Sequence, residues 1–184
     1  MKFYIRIAVR ELFLKLLIIS SLFFTAACNQ YYTDQNIEIK DDGLIYKVGQ
    51  DIPFTGRIID TLQHKIVEYD VVKGMKNGEF SLSSYEGIIS VYGNIKDNKN
   101  IGEWKYFYPN GQLESKGNFN FDNPHGKWVW YYNNGNLKET GTYLNGCKSG
   151  TWYIYSMEGA LLSIIMYDKG NKINEIKFNR RTDV

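Results

Sequence analysis

Histidine and cysteine are scarce in this chain, with two of each in 184 residues, and proline occurs only three times. Two cysteines cannot build a disulfide framework, and a four-ligand zinc site would need every Cys and His present. This disfavours enzymes built on His, Cys or metal chemistry, so no cofactor and no metal site is expected. Long apolar runs are missing too. The stretch Leu16–Ala27 carries no charge but has only 12 residues, short of the roughly 20 needed to cross a bilayer as a helix. An excess of one charge is also lacking. Beyond residue 27 the chain has 18 Lys and Arg against 19 Asp and Glu. The strongly basic patch of a nucleic-acid-binding protein is therefore not expected. What is abundant is aromatic and small: 15 Tyr, 10 Phe and 4 Trp make 16% of the chain, beside 17 Gly.

The apolar stretch has the right length for the core of a signal peptide. Lys2, Arg6, Arg10 and Lys15 lie before or at its edge, and Thr25-Ala26-Ala27 lead into Cys28. Small residues directly before a cysteine resemble the lipobox of bacterial lipoproteins, with Thr25 standing where Leu is usual. That resemblance implies cleavage before Cys28 and acylation of its thiol. Two or three acyl chains would hold the protein at a membrane, each buried methylene contributing about 0.8 kcal/mol. An ordinary secretory signal cut at the same place is the alternative. Cys147 is then left without a disulfide partner in the mature chain. If the cell has two membranes, Asn29 after the cysteine favours the outer one, by resemblance to lipoprotein sorting patterns.

The rest of the chain is periodic. Gly78, Gly102, Gly126 and Gly150 are spaced by 24 residues, and Phe80, Trp104, Trp128 and Trp152 follow each by two. Gly87, Gly111, Gly135 and Gly159 repeat at the same interval, as do Gly93, Gly117 and Gly141, where the last unit has Ile165. Such self-similarity marks a repeat architecture. Within a unit, Asn110-Gly111 or Asn134-Gly135 lies between two alternating runs, a hairpin signal. Centring the turn on Asn110-Gly111 sets Tyr108 opposite Leu113, Tyr106 opposite Ser115 and Trp104 opposite Gly117. On this register each indole covers the glycine across its own hairpin. Aromatics, Leu and Gly share one face, while Lys105, Glu114, Lys116, Asn118, Lys138, Thr140 and Thr142 take the other. The links, such as Asp122-Asn123-Pro124-His125-Gly126, read as further turns.

The expected fold is thus all-β: an elongated, single-layer antiparallel meander of 24-residue hairpins. Ten strands at about 4.8 Å each would make a strip of roughly 48 Å. The organisation is a signal peptide over 1–27, a short tether over 28–43, a repeat domain over 44–178 and a tail over 179–184. The units fall near 54–77, 78–101, 102–125, 126–149 and 150–173, with Ile176 and Phe178 in a terminal strand.

Gly-x-Trp-x-x-x-Tyr-x-Asn-Gly-x-Leu-x-x-x-Gly-x-Phe/Tyr, at 102–119 and 126–143, resembles the MORN-repeat variant family. The lead-in Gly43-Leu44-Ile45-Tyr46 and Pro53-Phe54-Thr55-Gly56 also resembles the start of bacterial members. The resemblance implies rows of β-hairpins serving as scaffolds or interaction modules, and some bacterial members are labelled antitoxins. Departures lie in the first unit's spacing and in the last, with Ser156 for Tyr and Ile165 for Gly.

For catalysis, His64 and His125 are the available bases, and His125 sits in a turn beside Pro124 on this reading. Glu103, Glu114 and Glu139 fall on different faces or units, so no paired acid and base is enforced. The aromatic row holds more promise. Trp104, Trp128 and Trp152, flanked by Tyr106, Tyr108, Trp130 and Tyr132, form either a binding face or the sheet's own core. The expected function is non-catalytic: an envelope lipoprotein, membrane-anchored at Cys28, binding or scaffolding a protein partner. One alternative is an antitoxin or immunity protein. Another is an envelope glycan-binding protein that stacks sugars on the tryptophan ladder.

Overall fold

A computed structural model of the chain describes residues 36–178. The signal segment with Cys28, the first part of the tether and the tail 179–184 lie outside the described residues. The described part is all-β, as the repeat implies. Strands β1 (Ile37–Ile39) and β2 (Ile45–Lys47) pair as a two-stranded sheet. Eleven further strands form one antiparallel meander in chain order. They are β3 (Gly56–Leu62), β4 (Lys65–Val72), β5 (Met75–Ser83), β6 (Ile89–Lys96), β7 (Lys99–Phe107) and β8 (Leu113–Asn120). After these come β9 (Asn123–Tyr131), β10 (Leu137–Leu144), β11 (Cys147–Tyr155), β12 (Leu161–Asp168) and β13 (Asn171–Lys177). β1 falls within the segment expected to be a tether: Ile37 packs on a core of Ile45, Phe54, Ile58 and Val71 and is structured by that contact.

From β4 onward two kinds of turn alternate, while the first hairpin closes on a two-residue turn at Gln63-His64. The links between units are two-residue turns with both residues at positive φ, among them Asp97-Asn98, Phe121-Asp122 and Asn145-Gly146. Such turns match the right-handed twist of the flanking strands. The turn after β8 is therefore Phe121-Asp122, and Asn123, Pro124, His125 and Gly126 already belong to β9. This corrects the placement of His125 in a turn; it lies opposite Asn118 in the ladder. Cys147 likewise opens β11 and is exposed.

The loops at the other edge are one residue longer than an Asn-Gly hairpin. The Gly111 amide donates to the Tyr108 carbonyl at 2.8 Å and the Tyr108 amide to the Gln112 carbonyl at 2.9 Å. Pro109 and Asn110 fill the turn, and Gly111 follows with φ near 80°. Trp104 faces Gly117 and Tyr106 faces Ser115 as expected, but a bulge after Tyr106 sets Phe107, not Tyr108, opposite Leu113. The extra residue is absorbed there, and the next hairpin repeats it with Tyr131 opposite Leu137.

A larger bulge separates successive units. Between the pairs Lys116–Val129 and Asn118–His125, the single Gly117 of β8 opposes Gly126, Lys127 and Trp128 of β9. The same happens with Gly93 against Gly102–Trp104 and Gly141 against Gly150–Trp152. Gly102, Gly126 and Gly150 adopt positive φ of 64–72° there, with open space where a Cβ would point. Their role is conformational, and the bulge they allow re-aims the side chain that follows. Gly93, Gly117 and Gly141 are kept for the opposite reason. A Cβ on them would lie 2.2, 2.0 and 2.1 Å from the rings of Trp104, Trp128 and Trp152. Each indole thus covers the glycine of the preceding unit, not that of its own hairpin. The correction follows from the bulge, which turns the indole back across the gap that it opens.

Gly117→Ala should therefore cost more than Gly126→Ala. Overpacking against Trp128 predicts a loss of about 2–3 kcal/mol, while left-handed strain at Gly126 predicts about 1–2 kcal/mol. Urea unfolding followed by tryptophan fluorescence measures both. Trp128→Leu should recover part of the Gly117→Ala loss, because it removes the ring that the new methyl would strike.

Candidate interaction surfaces

The seven aromatic residues singled out by the repeat do not share one environment. Trp104, Trp128 and Trp152 are buried, with 5%, 6% and 0% of their surface exposed. They are enclosed by other rings in a ladder that runs along the sheet. Phe119 meets Trp128 edge-on at 5.2 Å, Tyr143 meets Trp152 edge-on at 5.1 Å, and Trp130 stacks on Trp128 at 5.5 Å. These are the favoured arrangements of aromatic pairs. The indole N–H of Trp104 donates to the Asn94 carbonyl and that of Trp128 to the Asn118 carbonyl, at 3.2 and 3.1 Å. The three repeat tryptophans are thus the sheet's own core, and their faces are not available for stacking on a ligand.

Tyr108 and Tyr132 have another structural task. The Tyr108 hydroxyl donates to the Tyr131 carbonyl at 2.7 Å and the Tyr132 hydroxyl to the Tyr155 carbonyl at 2.8 Å. Each ties its loop to the next unit. Asn134 and Asn136 add donors to the Met157 carbonyl at 3.0 and 2.8 Å. The opposite long edge is clasped as well: the Asp122 amide donates to the Asn100 carbonyl and the Asn100 amide to Asp122 Oδ1. Of the seven, Tyr106 and Trp130 remain as half-buried rings at the surface of the ladder. Burial pushes the Tyr106 phenol above its ordinary pKa of 10.0.

A charged pair that sequence reasoning passed over sits on this aromatic face. Lys148 Nζ lies 3.8 Å from the centre of the Trp152 ring and 2.7 Å from Glu139 Oε1. The ammonium closes the ladder by a cation–π contact while the carboxylate holds it in place. The Trp152 indole N–H has no hydrogen-bond partner among the described residues. A departure within the repeat marks the pair: Glu139 stands where the other units carry Val91, Ser115 and Ser163.

On the opposite face Arg57 grips Asp70 with two hydrogen bonds of 2.8 and 3.1 Å and reaches Glu79 at 3.3 Å. Tyr92 donates to Glu79 at 3.1 Å. Here charges bridge the first units, whereas Trp–Gly contacts bridge the later ones. His64 is an exposed turn residue and His125 an exposed strand residue. Glu103 joins Lys105 at 3.0 Å, and Glu114 is exposed. Among the described residues no group of three or more His, Cys, Asp or Glu side chains is placed to hold a metal ion.

A bulged, single-sheet meander of hairpins, stapled from unit to unit along both long edges, defines the class: a β-hairpin repeat protein. Residues 101–120 and 124–145 match the family model of the MORN repeat variant, which takes in the hairpins β7–β8 and β9–β10. No curated protein matches the chain. Among solved structures, the GtfA/B complex bound to UDP and GlcNAc is similar over 68% of this chain, at 12% identity and a TM-score of 0.25. The match covers 24% of that structure's chain, and a likeness at that score bears on neither site nor activity.

The Arg57 network generates a pH prediction. The guanidinium holds the Asp70 carboxyl below its ordinary value of 3.8. A depressed folded-state pKa stabilises above the unfolded value and is lost as pH falls through the folded one. The urea midpoint should therefore fall as the pH drops below about 4, and Arg57→Met should flatten that acid limb. An unchanged acid limb in the variant would show that Asp70 draws nothing from Arg57.

Proposed function

We propose that this protein is a non-catalytic lipoprotein of the bacterial cell envelope whose exported part binds or scaffolds a protein partner. The observation that carries the reading is the repeat strip itself. A rigid sheet with MORN-variant units presents a long surface, and repeat arrays of this kind serve as extended binding platforms. The anchor rests on the sequence from Lys2 to Cys28, outside the described residues. It holds at the outer membrane in a cell with two membranes, by the resemblance that Asn29 carries. A protein partner is favoured over a glycan because the indole faces of Trp104, Trp128 and Trp152 are used internally. Sugar stacking would be left to Tyr106 and Trp130.

The deciding experiment follows labelled palmitate and membrane fractionation of the full-length protein, with and without Cys28→Ser. Label that depends on Cys28 and travels with the membrane is the expected result. An unlabelled, unprocessed protein in the cytoplasm would overturn the lipoprotein reading and bring the antitoxin alternative forward. Quenching of tryptophan fluorescence by cell-wall glycans, lost in Trp130→Ala, would replace the protein partner with a glycan.

A further inference from the structure

Both end strands of the meander, β3 and β13, pair on one side only among the described residues, but a further segment packs beside the first of them. At the start Ile45 of β2 packs with Ile58 and Val71 of the first hairpin, and its amide donates to the Gly74 carbonyl in the turn between β4 and β5 at 2.9 Å. Among the described residues β13, at the far end, pairs only with β12. Its Ile176 is 52% exposed. Unpaired edges are usually blunted by bulges, prolines or lysines. β13 has a bulge beside Ile173, but from Asn174 to Lys177 it is regular and carries no proline.

We propose that β13 is a homodimerisation edge, at which two copies pair antiparallel about a twofold axis through Ile176. This specifies one partner within the binding reading above, and it does not depend on the lipid anchor. Three observations select this register. The Phe178 amide points inward, donating to the Leu162 carbonyl at 2.8 Å. By the alternation of an antiparallel ladder, the amides and carbonyls of Glu175 and Lys177 then point outward, ready to form about four ladder bonds across the axis. Charge fits as well. With Ile176 on the axis, Glu175 of each copy lies opposite Lys177 of the other, so the lysine that would repel an arbitrary basic strand meets a carboxylate. The apolar row also continues. Tyr153 pairs with Ile164 and Ile164 with Ile176, so the axis joins two such rows on the face opposite the tryptophans.

In this register Ile176 meets its own copy as a non-hydrogen-bonded pair, with Cα atoms about 4.5 Å apart, within disulfide range. Asn174 lies opposite Phe178, so its two copies stand about 13 Å apart along the strands. The test uses the full chain with Cys147→Ser, carrying either Ile176→Cys or Asn174→Cys. Each is oxidised and run on a non-reducing gel, with the Cys147→Ser parent reporting any dimer formed through Cys28. The expected result is several-fold more disulfide dimer from Ile176→Cys than from Asn174→Cys or the parent. Equal yields, or none, would overturn the proposal whatever the palmitate label shows. Adding Glu175→Lys to Ile176→Cys should lower the yield, and adding Lys177→Glu as well should restore it. A yield indifferent to both charges would overturn the register. Unchanged tryptophan fluorescence, to which Trp152 beside β12 contributes, verifies that the sheet remains folded in each variant.

Discussion

Everything in the repeat turns on one contact, an indole ring lying over the backbone of a glycine one strand back. The ring can approach only because Gly93, Gly117 and Gly141 have no Cβ. It is aimed there only because the bulge at Gly102, Gly126 or Gly150 sets three residues against one. Removing either glycine breaks the same contact for a different reason, one by crowding and the other by strain. The departures in the last unit obey the same rule. Ile165 takes the place of the covered glycine, and Ile176, at the tryptophan's position in the period, pairs with Ile164 on the other face of the sheet. The ladder of rings stops where the pair of residues that propagates it stops.

This packing solves a problem peculiar to a single sheet. With no second layer, an apolar face would remain in water at a cost of roughly 25 cal/mol per Å². Rings laid on glycines, and edge-on rings such as Phe119, Tyr143 and Tyr167 between them, let one layer bury Trp152 completely. Side-chain and turn bonds along the two long edges then hold each unit to the next, so the strip is braced along its length. The aromatic wealth of the chain is spent on this internal ladder. What stays exposed is mainly the loops, the charged face and the ends.

The ends are built differently. The first units lack the Trp–Gly contact and rely on a small aliphatic core under Ile45 and Phe54, with Arg57, Asp70 and Glu79 bridging strands on the other face. Gly78 serves that bridge, since a Cβ there would strike Asp70 at 2.7 Å. The last units instead close on Lys148 above Trp152 and then expose β13. An array whose contacts are nearest-neighbour ends wherever its repeating contact ends, and here each end has its own substitute for it.

The all-β class, the period, the hairpins, the terminal strand and the pairing of Trp104 with Gly117 were all legible in the sequence. Periodicity and turn chemistry are local properties, and a 24-residue interval repeated across four glycines fixes them. What the local pattern could not carry was the larger bulge, because two strands of different units must meet before three residues can oppose one. That bulge decided which glycine each indole covers. It also closed Trp104, Trp128 and Trp152 to solvent, whereas His125 is in a strand because the turn before it takes only Phe121 and Asp122. The same holds for the hydroxyl bonds of Tyr108 and Tyr132, whose acceptors lie one unit away, and for the Lys148–Glu139 pair. Composition and spacing specify the elements of this sheet, while contacts between neighbouring units decide which faces of those elements remain free, since exposure depends on what packs alongside.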